Sequence, residues 1–418
     1  MNIEQLLHIE IQDFIADNLG SDSAKLALKK NPFPAINYTE IIHQIVSKKK
    51  AKDKLPTWFT TKNIIYPEKI SIEQTSSELT AKYKASLVSG KNLIDCTGGF
   101  GIDDYYFAQQ FEMVTHCEIN SELSKIVQHN FEQLKTKNIT CISGDSADIL
   151  KQLHQNFDCI YIDPSRRNDA KGKVFLLADC LPNVVDLQDF YYQYSDTILI
   201  KTAPILDIQA GLNELKNVAS IHIVAVENEV KELLWKIKKS FVNQPEIIAV
   251  NIEKQQIVST TIQLSKNYQA TYSLPKKYLY EPNASLLKTG GFEAVSELFA
   301  LDKLHQHSHL YTADEIKDFQ GRRFEIMHEI PFQKNDLKKT VLLSSSEYSK
   351  TIGTPTPISL ASITEETTPE EYAGKGLLPV AVMLEGKFKS AYQNRVLPFA
   401  DDQFHYRVYG YGCNTHQN

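Results

Sequence analysis

The stretch Asn92-Leu-Ile-Asp-Cys-Thr-Gly-Gly-Phe-Gly101 decides the fold that this chain is expected to adopt. A short apolar run ends in Asp95, and a glycine-rich turn follows it directly. Glycines in such a turn let a ligand approach backbone N–H groups that a Cβ would block. Two later apolar runs end in Glu118 and in Asp163-Pro164. If all three runs are parallel strands, these residues meet at one sheet edge, which predicts a nucleoside pocket.

Strand and helix patterns alternate from about residue 92 to residue 255. The strand candidates are Leu93–Asp95, Met113–Glu118, Ile139–Ser143, Cys159–Asp163, Thr197–Lys201, Ile221–Val226 and Ile247–Ile252. Helical patterns lie between most of them, including Ser121–Leu134, Ser146–Leu153 and Val174–Leu187. Alternation of this length predicts an α/β fold with a mostly parallel, doubly wound, seven-stranded sheet that is covered on both faces.

The flanking segments have different patterns. Residues 1–90 predict an N-terminal helical domain, which contains the basic run Ser47–Lys54. That run is interpreted either as a solvated helix end or as an RNA-phosphate contact. Residues 256–338 predict a small C-terminal α+β module, and residues 339–418 form an atypical tail with a single apolar strand candidate near 379–384. The boundary of the central domain is therefore placed at 91–255.

The composition limits the class of protein. The 418 residues carry a net charge of -6, which argues against a uniformly basic nucleic-acid binder but leaves local basic patches open. Six cysteines occur without a C-x-x-C pair, which indicates a reducing compartment and predicts no metal site. No basic segment opens the chain, and no apolar run approaches the roughly 20 residues that span a bilayer. A cytoplasmic location without membrane contact is expected for residues 1–338.

The ordered motifs resemble those of class I S-adenosylmethionine-dependent methyltransferases. The resemblance is carried by Asp95-x-Thr97-x-Gly99-x-Gly101, Glu118, Gly144-Asp145 and Asp163-Pro164, and it covers about residues 75–255. It implies a Rossmann-like class I methyltransferase domain and S-adenosyl-L-methionine as the cofactor. The implied cofactor-binding residues are Asp95, Thr97, Gly98, Gly99, Gly101, Glu118 and Asp145. A nicotinamide dehydrogenase is disfavoured, because Gly98-Gly99-Phe100-Gly101 is not a G-x-G-x-x-G turn.

The segment Asp163-Pro164-Ser165-Arg166-Arg167 departs from the Asp/Asn-Pro-Pro-aromatic motif of enzymes that methylate exocyclic amines. That motif stacks an aromatic ring on the target base, and here arginine stands in its place. Asp163 and Pro164 are the catalytic candidates, with Asp163 orienting the nucleophile or accepting its proton. The predicted substrate-binding cations are Arg166, Arg167, Lys171, Lys173 and Lys201. Clustered cations beside a transfer site favour a phosphate-bearing substrate, although Lys201 is equally well read as a strand-end lysine without a substrate contact.

Further segments of the sequence resemble those of a Bacteroidetes family of THUMP-like-domain methyltransferases. They are Pro56–Phe59, Ile72–Ser77, Thr97–Gly101, Asp163–Arg167 and Val226–Glu229. The resemblance implies a ferredoxin-like/THUMP-like module at 256–338, which would be truncated, and RNA (tRNA or rRNA) as the partner. Beyond about residue 338, the phrases Val341–Lys350, Pro379–Lys387 and Ala391–Arg395 are similar to a gliding-motility-associated ABC-transporter accessory protein. A fused or mispredicted reading frame explains this best, and a divergent THUMP-like tail is the alternative.

Three functions remain open from the sequence. The first is an RNA methyltransferase, in which positioning supplies most of the catalysis. The second is a non-catalytic RNA-binding scaffold with a cofactor-type fold, which the intact set Asp95, Glu118 and Asp163 disfavours. The third is a small-molecule methyltransferase, which Arg166-Arg167 disfavours.

Overall fold

The computed structural model describes residues 3–67, 72, 75–166, 176–327, 338–344 and 379–385. The chain divides into two compact units, residues 1–327 and residues 328–418. In the first unit the helices are α1 Ile3–Leu6, α2 Ile9–Asp17, α3 Ser23–Ala27, α4 Tyr38–Lys54, α5 Pro56–Thr60, α6 Glu78–Ser86, α7 Ile102–Phe107, α8 Ser121–Gln133, α9 Ser146–Leu153, α10 Val184–Tyr191, α11 Ile208–Glu214, α12 Ala284–Thr289 and α13 Phe292–Phe299.

A large sheet forms the centre of this unit. Its strands are β1 Gly90–Asp95, β2 Phe111–Glu118, β3 Ile139–Ser143, β4 Cys159–Ile162, β7 Thr197–Thr202, β8 Val218–Val226, β9 Glu229–Lys238, β10 Glu246–Glu253 and β11 Gln256–Gln263. The two-residue strands β5 Ser165–Arg166 and β6 Cys180–Leu181 pair with each other outside it. The strand order of the large sheet is β11-β10-β8-β9-β7-β4-β1-β2-β3.

The predicted α/β sheet is confirmed, but it has nine strands rather than seven. Strands β3, β2, β1, β4 and β7 are parallel to one another. The strand that the sequence pattern missed is β9, which enters antiparallel between β7 and β8. It follows β8 through the two-residue turn Glu227-Asn228, whose φ angles of 48° and 64° are those of a tight hairpin. A glycine usually marks such a turn in a sequence, and neither residue is a glycine. The hairpin could therefore not be recognised from the sequence. The other missed strand, β11, lies antiparallel at the edge.

Both faces of the sheet are buried, which explains why its strands read as continuous apolar runs. Leu93 belongs to the core under the N-terminal helices, while its neighbour Ile94 belongs to the core on the opposite face. The same alternation separates Leu234 from Trp235 in β9. Side chains of successive strand residues point to opposite faces, so one run of apolar residues builds two cores.

An extended segment, residues 64–67, is held between α4 and α8. Two carboxamide side chains hold it through reciprocal hydrogen bonds. Gln44 of α4 accepts from Tyr66 N–H at 2.8 Å and donates to its carbonyl at 2.7 Å. Asn130 of α8 does the same for Ile65, at 2.9 and 2.8 Å. Because all four backbone groups are buried, each would be costly to leave unpaired.

Helix starts follow the expected capping chemistry. Asp22 accepts from Ala24 N–H at the start of α3, and Ser77 accepts from Thr80 N–H at the start of α6. The helix predicted over Val174–Leu187 is confirmed only at its end, because residues 177–179 form a 3-10 turn, β6 follows, and α10 begins only at Val184. Asn183 caps α10 by accepting from Val185 N–H at 3.1 Å.

A second, five-stranded sheet follows the large one. It contains β12 Thr271–Tyr272, β13 Tyr278–Pro282, β14 Asp302–Lys303, β15 Tyr311–Ala313 and β16 Gly321–Glu325, in the order β12-β14-β15-β13-β16. Helices α12 and α13 lie between β13 and β14 in the chain, and Gly290 ends α12 with a φ of 70°. The region predicted as a small α+β module thus contains both helices and strands.

In the second unit, β17 Lys338–Ser344 and β18 Pro379–Glu385 form an antiparallel pair. The sequence pattern indicated only the apolar strand near 379–384, and its partner in the structure is the segment 338–344 of the same unit. The other tail positions used for the resemblance lie outside the described residues.

His222 makes the stability of the fold dependent on pH. Burial lowers the pKa of this β8 side chain from 6.5 to about 4, and its ring nitrogens contact Tyr83 Oη at 2.7 Å and Ser220 Oγ at 3.1 Å. Between pH 6.5 and pH 4 the unfolded chain binds a proton there and the folded chain does not. The free energy of unfolding should therefore fall by about 3 kcal/mol over that interval because of this residue.

Urea unfolding at pH 7 and at pH 4 tests this expectation. The loss of stability between the two pH values should be smaller by about that amount in His222→Gln than in the wild type. The exposed His43 provides the control, because His43→Gln removes an imidazole from the surface and not from the core. An equal loss in the wild type and in His222→Gln would contradict the assignment.

Candidate functional site

The glycine turn after β1 is pressed against β2 and α8. Gly98 N–H donates to the carbonyl of Cys117 at 2.8 Å. A Cβ on Gly98 would lie 2.2 Å from the ring of His116, and one on Gly101 would lie 2.6 Å from Phe131. Gly99 and Gly101 also have φ angles of 56° and 75°, which L side chains rarely adopt. Close approach and backbone conformation together require glycine here.

Thr97 connects the turn to the end of β4. The Asp95 carboxylate accepts from Thr97 N–H at 2.7 Å and from its hydroxyl at 3.1 Å. The same hydroxyl oxygen accepts from Asp163 N–H at 2.7 Å. Asp95 is only 1% exposed and lies beneath the turn. Its observed contacts fix the backbone of the turn and, through Thr97, the position of Asp163.

Two carboxyl groups and one imidazole are buried beneath this turn. Burial, and next to it the charge of Asp104, raises the pKa of Asp95 well above its usual value. Burial likewise raises the pKa of Asp104 and lowers the pKa of His116. Asp104 Oδ2 and His116 Nδ1 are 2.6 Å apart, and both groups are fully buried. Burial thus disfavours the charged form of each group, and their contact supports the turn from below.

The other acids predicted at strand ends lie at the same edge. Glu118 ends β2 and accepts from Gly99 N–H at 3.0 Å and from Asn120 N–H at 2.7 Å, through different oxygens. Each carboxylate oxygen has a further lone pair for a ligand. Asp145 follows β3 and is exposed, and it caps α9 by accepting from Ala147 N–H at 2.9 Å.

Asp163 forms an ion pair with Lys201 across the ends of β4 and β7. Burial lowers the pKa of Lys201, but the charges of Asp163, Asp103 and Glu232 outweigh that effect and raise it above the usual value. Lys201 is therefore a charged partner of Asp163, and its side chain is only 12% exposed. Pro164 is buried beside them.

The remaining predicted cations are placed only in part. Arg166 lies in β5, where its backbone pairs with Cys180. Arg167, Lys171 and Lys173 lie outside the described residues. The structure thus brings together Asp95, Thr97, Gly98, Gly99, Gly101, Glu118, Asp163 and Lys201, and it puts Asp145 at the same sheet edge.

Sequence reasoning missed a buried ionic network beside this site. Lys84 of α6 is fully buried, and its Nζ lies 2.8 and 2.9 Å from the two carboxylate oxygens of Glu232 in β9. It also lies 3.1 Å from Asp103 Oδ1 and 2.7 Å from Ser76 Oγ. Tyr161 of β4 donates to Asp103 Oδ2 at 2.8 Å. No local sequence pattern indicates this network, because Lys84 and Glu232 are 148 residues apart.

Replacing Lys84 should destabilise the fold strongly. Lys84→Met keeps a similar volume but leaves Glu232 and Asp103 without their buried cation, so unfolding free energy should fall by about 3–5 kcal/mol. Lys84→Met combined with Glu232→Leu should recover part of the loss, because it removes one of the stranded charges. Thermal and urea unfolding measure both variants. A Lys84→Met variant as stable as the wild type would show that the network contributes little.

Three family models match parts of the chain. The model for RNA cap guanine-N2 methyltransferase matches residues 90–166, which include the glycine turn, Glu118 and Asp163. The model for a ferredoxin-like domain matches residues 278–319. The model for an ABC-type uncharacterized transport system matches residues 304–414, so it begins before the predicted tail and overlaps the ferredoxin-like match. None of the curated proteins compared matches the chain.

Solved structures resemble this chain to different extents. The crystal structure of a "putative methyltransferase" from Porphyromonas gingivalis W83 is 29% identical, with a TM-score of 0.70 over 80% of this chain and 84% of that one. A Streptococcus mutans protein described in the same words, in complex with SAH, is 16% identical over 39% of this chain and 96% of that one, with a TM-score of 0.29. M. capricolum TrmK in complex with SAH is 18% identical over 38% and 68%, with a TM-score of 0.28. The first likeness supports a Rossmann-like class I methyltransferase fold.

No helix among the described residues combines the length and apolar character that crossing a bilayer demands. No group of three or more His, Cys, Asp and Glu side chains in the described part of the chain is arranged to hold a metal ion.

Proposed function

We propose that this protein is an S-adenosylmethionine-dependent methyltransferase that acts on RNA, either tRNA or rRNA. The observation that carries the proposal is the hydrogen bond from Asp163 N–H to Thr97 Oγ1. It joins a glycine turn suited to a nucleoside cofactor to the acid-proline pair at the end of β4. This hydrogen bond would fix the cofactor pocket and the transfer site relative to each other, as an in-line group transfer requires.

The residues present fit this cofactor. A Cβ on Gly99 would meet only the Thr97 carbonyl, at 3.7 Å, so the outer side of the turn is open to a ligand. Thr97, Gly98, Gly99 and Gly101 would hold its methionine part, Glu118 its ribose hydroxyls and Asp145 its adenine amino group, with Asp95 fixing the turn from below. When bound, the cofactor supplies an electrophilic methyl group on a sulfonium sulfur.

Asp163 and Pro164 act on the nucleotide that receives the methyl group. Asp163 would orient the nucleophile and accept a hydrogen bond from it, while the ion pair with Lys201 holds this carboxylate in place. Lys201 is thereby proposed to position Asp163 in addition to any contact with substrate. Pro164 restricts the backbone at this point, which helps to keep the acid at the sheet edge.

RNA as the substrate class is supported by two observations. The family model that matches residues 90–166 is described as an RNA cap guanine-N2 methyltransferase. Arg166, Arg167, Lys171 and Lys173 follow Asp163 directly in the sequence, where they would meet phosphate groups. A ferredoxin-like/THUMP-like module within 256–338 is proposed to add an RNA-binding surface, and the match at 278–319 supports its ferredoxin-like part.

The domain organisation is also a proposal. We divide the chain into a helical domain (1–90), a methyltransferase domain (91–255), the module at 256–338 and a tail (339–418) that derives from another protein. The transport-system match at 304–414 supports a foreign origin of the tail. The free cysteines Cys96, Cys117, Cys141, Cys159 and Cys180 support a reducing, cytoplasmic location.

Cofactor binding is tested by calorimetry with S-adenosylmethionine. Glu118→Ala should weaken binding about tenfold or more, because a hydrogen bond to a charged group contributes about 1.5–3 kcal/mol. Glu112→Ala, at the exposed opposite end of β2, is the matched control and should bind as the wild type does. Tight binding of NAD without binding of S-adenosylmethionine would refute the proposal.

RNA recognition is tested by the salt dependence of RNA binding. Arg166→Ala with Arg167→Ala should weaken binding to bulk tRNA or rRNA and reduce the slope of log K against log salt by roughly 0.7 to 0.9 per lost contact. Cofactor affinity should barely change. Lys125→Ala with Lys238→Ala removes two exposed positive charges outside both β5 and the 256–338 module and serves as the control. An unchanged slope would assign Arg166 and Arg167 to structural ion pairs.

The methylation product identifies the reaction. Labelled methyl transfer to RNA from a strain that lacks this protein, followed by mass spectrometry of the nucleosides, would identify the modified nucleotide. Cofactor binding with RNA binding but without transfer would favour the non-catalytic scaffold. Transfer to small molecules alone would favour the small-molecule enzyme.

A further inference from the structure

The strand β11 is an open edge of the large sheet. It covers Gln256–Gln263 and pairs with β10 along its whole length without a bulge. Within the described residues no strand pairs with its other side, since the sheet order ends at β11. Ile257 and Val258 are large apolar side chains, yet they are 54% and 46% exposed. The outer side of β11 therefore offers backbone N–H and C=O groups to a further strand.

The composition of β11 lacks the features that usually protect such an edge. Natural edge strands carry lysine, proline or inward-pointing charges, or a bulge twists them away. The sequence Gln256-Ile-Val-Ser-Thr-Thr-Ile-Gln263 has no charged residue, proline or glycine, and five of its eight residues are β-branched. Because β-branched residues favour strands, this edge is suited to accept a partner strand rather than to exclude one.

Hydrogen bonds at the end of β11 show which of its backbone groups point away from β10. The N–H of Gln263 donates to Tyr268 Oη at 3.2 Å, and the carbonyl of Gln263 accepts from Lys266 N–H at 3.1 Å. Both backbone groups of Gln263 thus face away from β10. Because the pattern alternates along an antiparallel ladder, every second residue before Gln263 directs its backbone groups outward in the same way.

The turn at the start of β11 gives the same alternation. Its two residues, Lys254 and Gln255, have φ angles of 46° and 68°, which are typical of a tight two-residue hairpin. In such a hairpin the flanking pair, here Glu253 with Gln256, is hydrogen-bonded. Gln256 therefore serves β10, and the next residue does not. The residues between the two ends that direct their backbone groups outward are Ile257, Ser259 and Thr261.

These outward groups match those of an identical strand. With a second β11 placed antiparallel about a two-fold axis at Ser259, Ile257 of one copy lies opposite Thr261 of the other, and Ser259 lies opposite its own equivalent. Each outward N–H then has a carbonyl partner, whereas a register shifted by two residues would leave some without one. Val258 lies opposite Thr260 on the other face, so no charged side chains oppose each other in this register.

Pairing at this edge would leave the cofactor site uncovered. Four strands, β10, β8, β9 and β7, lie between β11 and β4, which carries Asp163 at its end. At about 4.8 Å per strand, β4 is roughly 24 Å from β11. A two-fold axis perpendicular to the sheet also turns the carboxyl ends of the parallel strands in opposite directions in the two copies.

We propose that this protein forms a two-fold symmetric dimer, in which the β11 strands of two copies pair antiparallel about Ser259 and join the two large sheets into one. A second copy fits this edge because a single register uses every outward backbone group and opposes only uncharged side chains. The contact is closed, since both copies use the same surface, and assembly stops at two. The inference goes beyond the proposed function and does not depend on it.

Sedimentation equilibrium of the full-length chain tests the dimer. At about 10 μM the wild type should have twice the mass of one chain, and Ser259→Lys should raise the dissociation constant at least about tenfold, because two ammonium groups would face each other across the axis. Ser259→Thr should retain the dimer. Thr140→Lys is the matched control, since it adds the same charge at an exposed position of β3, the opposite edge strand.

Cysteine cross-linking tests the register. In Ser259→Cys the two Cα atoms on the axis would be about 5.5 Å apart, which a disulfide can span. Mild oxidation should therefore link two chains of Ser259→Cys, but not those of the wild type or of Thr140→Cys. A monomeric wild type, a dimer that Ser259→Lys leaves intact, or an equal loss of dimer in Thr140→Lys would overturn the proposal. Cross-linking of Ser259→Cys no greater than that of the wild type would overturn the pairing about Ser259.

Discussion

The buried ammonium group of Lys84 is the constraint on which the candidate site depends. A fully buried cation is tolerated only with matched carboxylates and satisfied donors. Here Glu232, Asp103 and Ser76 provide them, from β9, α7 and the start of α6. Because Asp103 lies two residues beyond the glycine turn, fixing it also fixes the turn. The antiparallel direction of β9 is what brings Glu232 to this edge of the sheet.

Much of the fold follows from local patterns, because its strands are short apolar runs and its helices have recognisable caps. Asp95, Glu118 and Asp163 could be placed together from the rule that parallel strands end at one edge. What could not be predicted depends on partners distant in the sequence. Glu232 and Lys84 read as ordinary surface charges until β9 is placed, and β9 was hidden by a hairpin turn without glycine. Lys201 and Asp163 end two neighbouring strands that were both predicted, but the choice between a substrate contact and an internal ion pair needed the side-chain geometry.

The bonds of Thr97 suggest how cofactor and substrate could influence each other. Its hydroxyl donates to Asp95 and accepts from Asp163 N–H, so a shift of the turn moves the transfer site directly. If cofactor binding orders this turn, it orders Asp163 as well. Linkage then requires that substrate contact with Asp163 strengthen cofactor binding by the same factor.

The hydrogen bonds by which Gln44 and Asn130 hold residues 64–67 have a consequence for the synthesis of the chain. Gln44 can hold Tyr66 as soon as that residue is made, but Asn130 pairs with Ile65 across 65 positions of sequence. The first core cluster likewise combines residues of the N-terminal helices with Phe131 of α8. At about 5–20 residues per second, several seconds pass on the ribosome before that surface can be covered. During this interval the N-terminal helices present an incomplete apolar face, which is the kind of surface that chaperones bind.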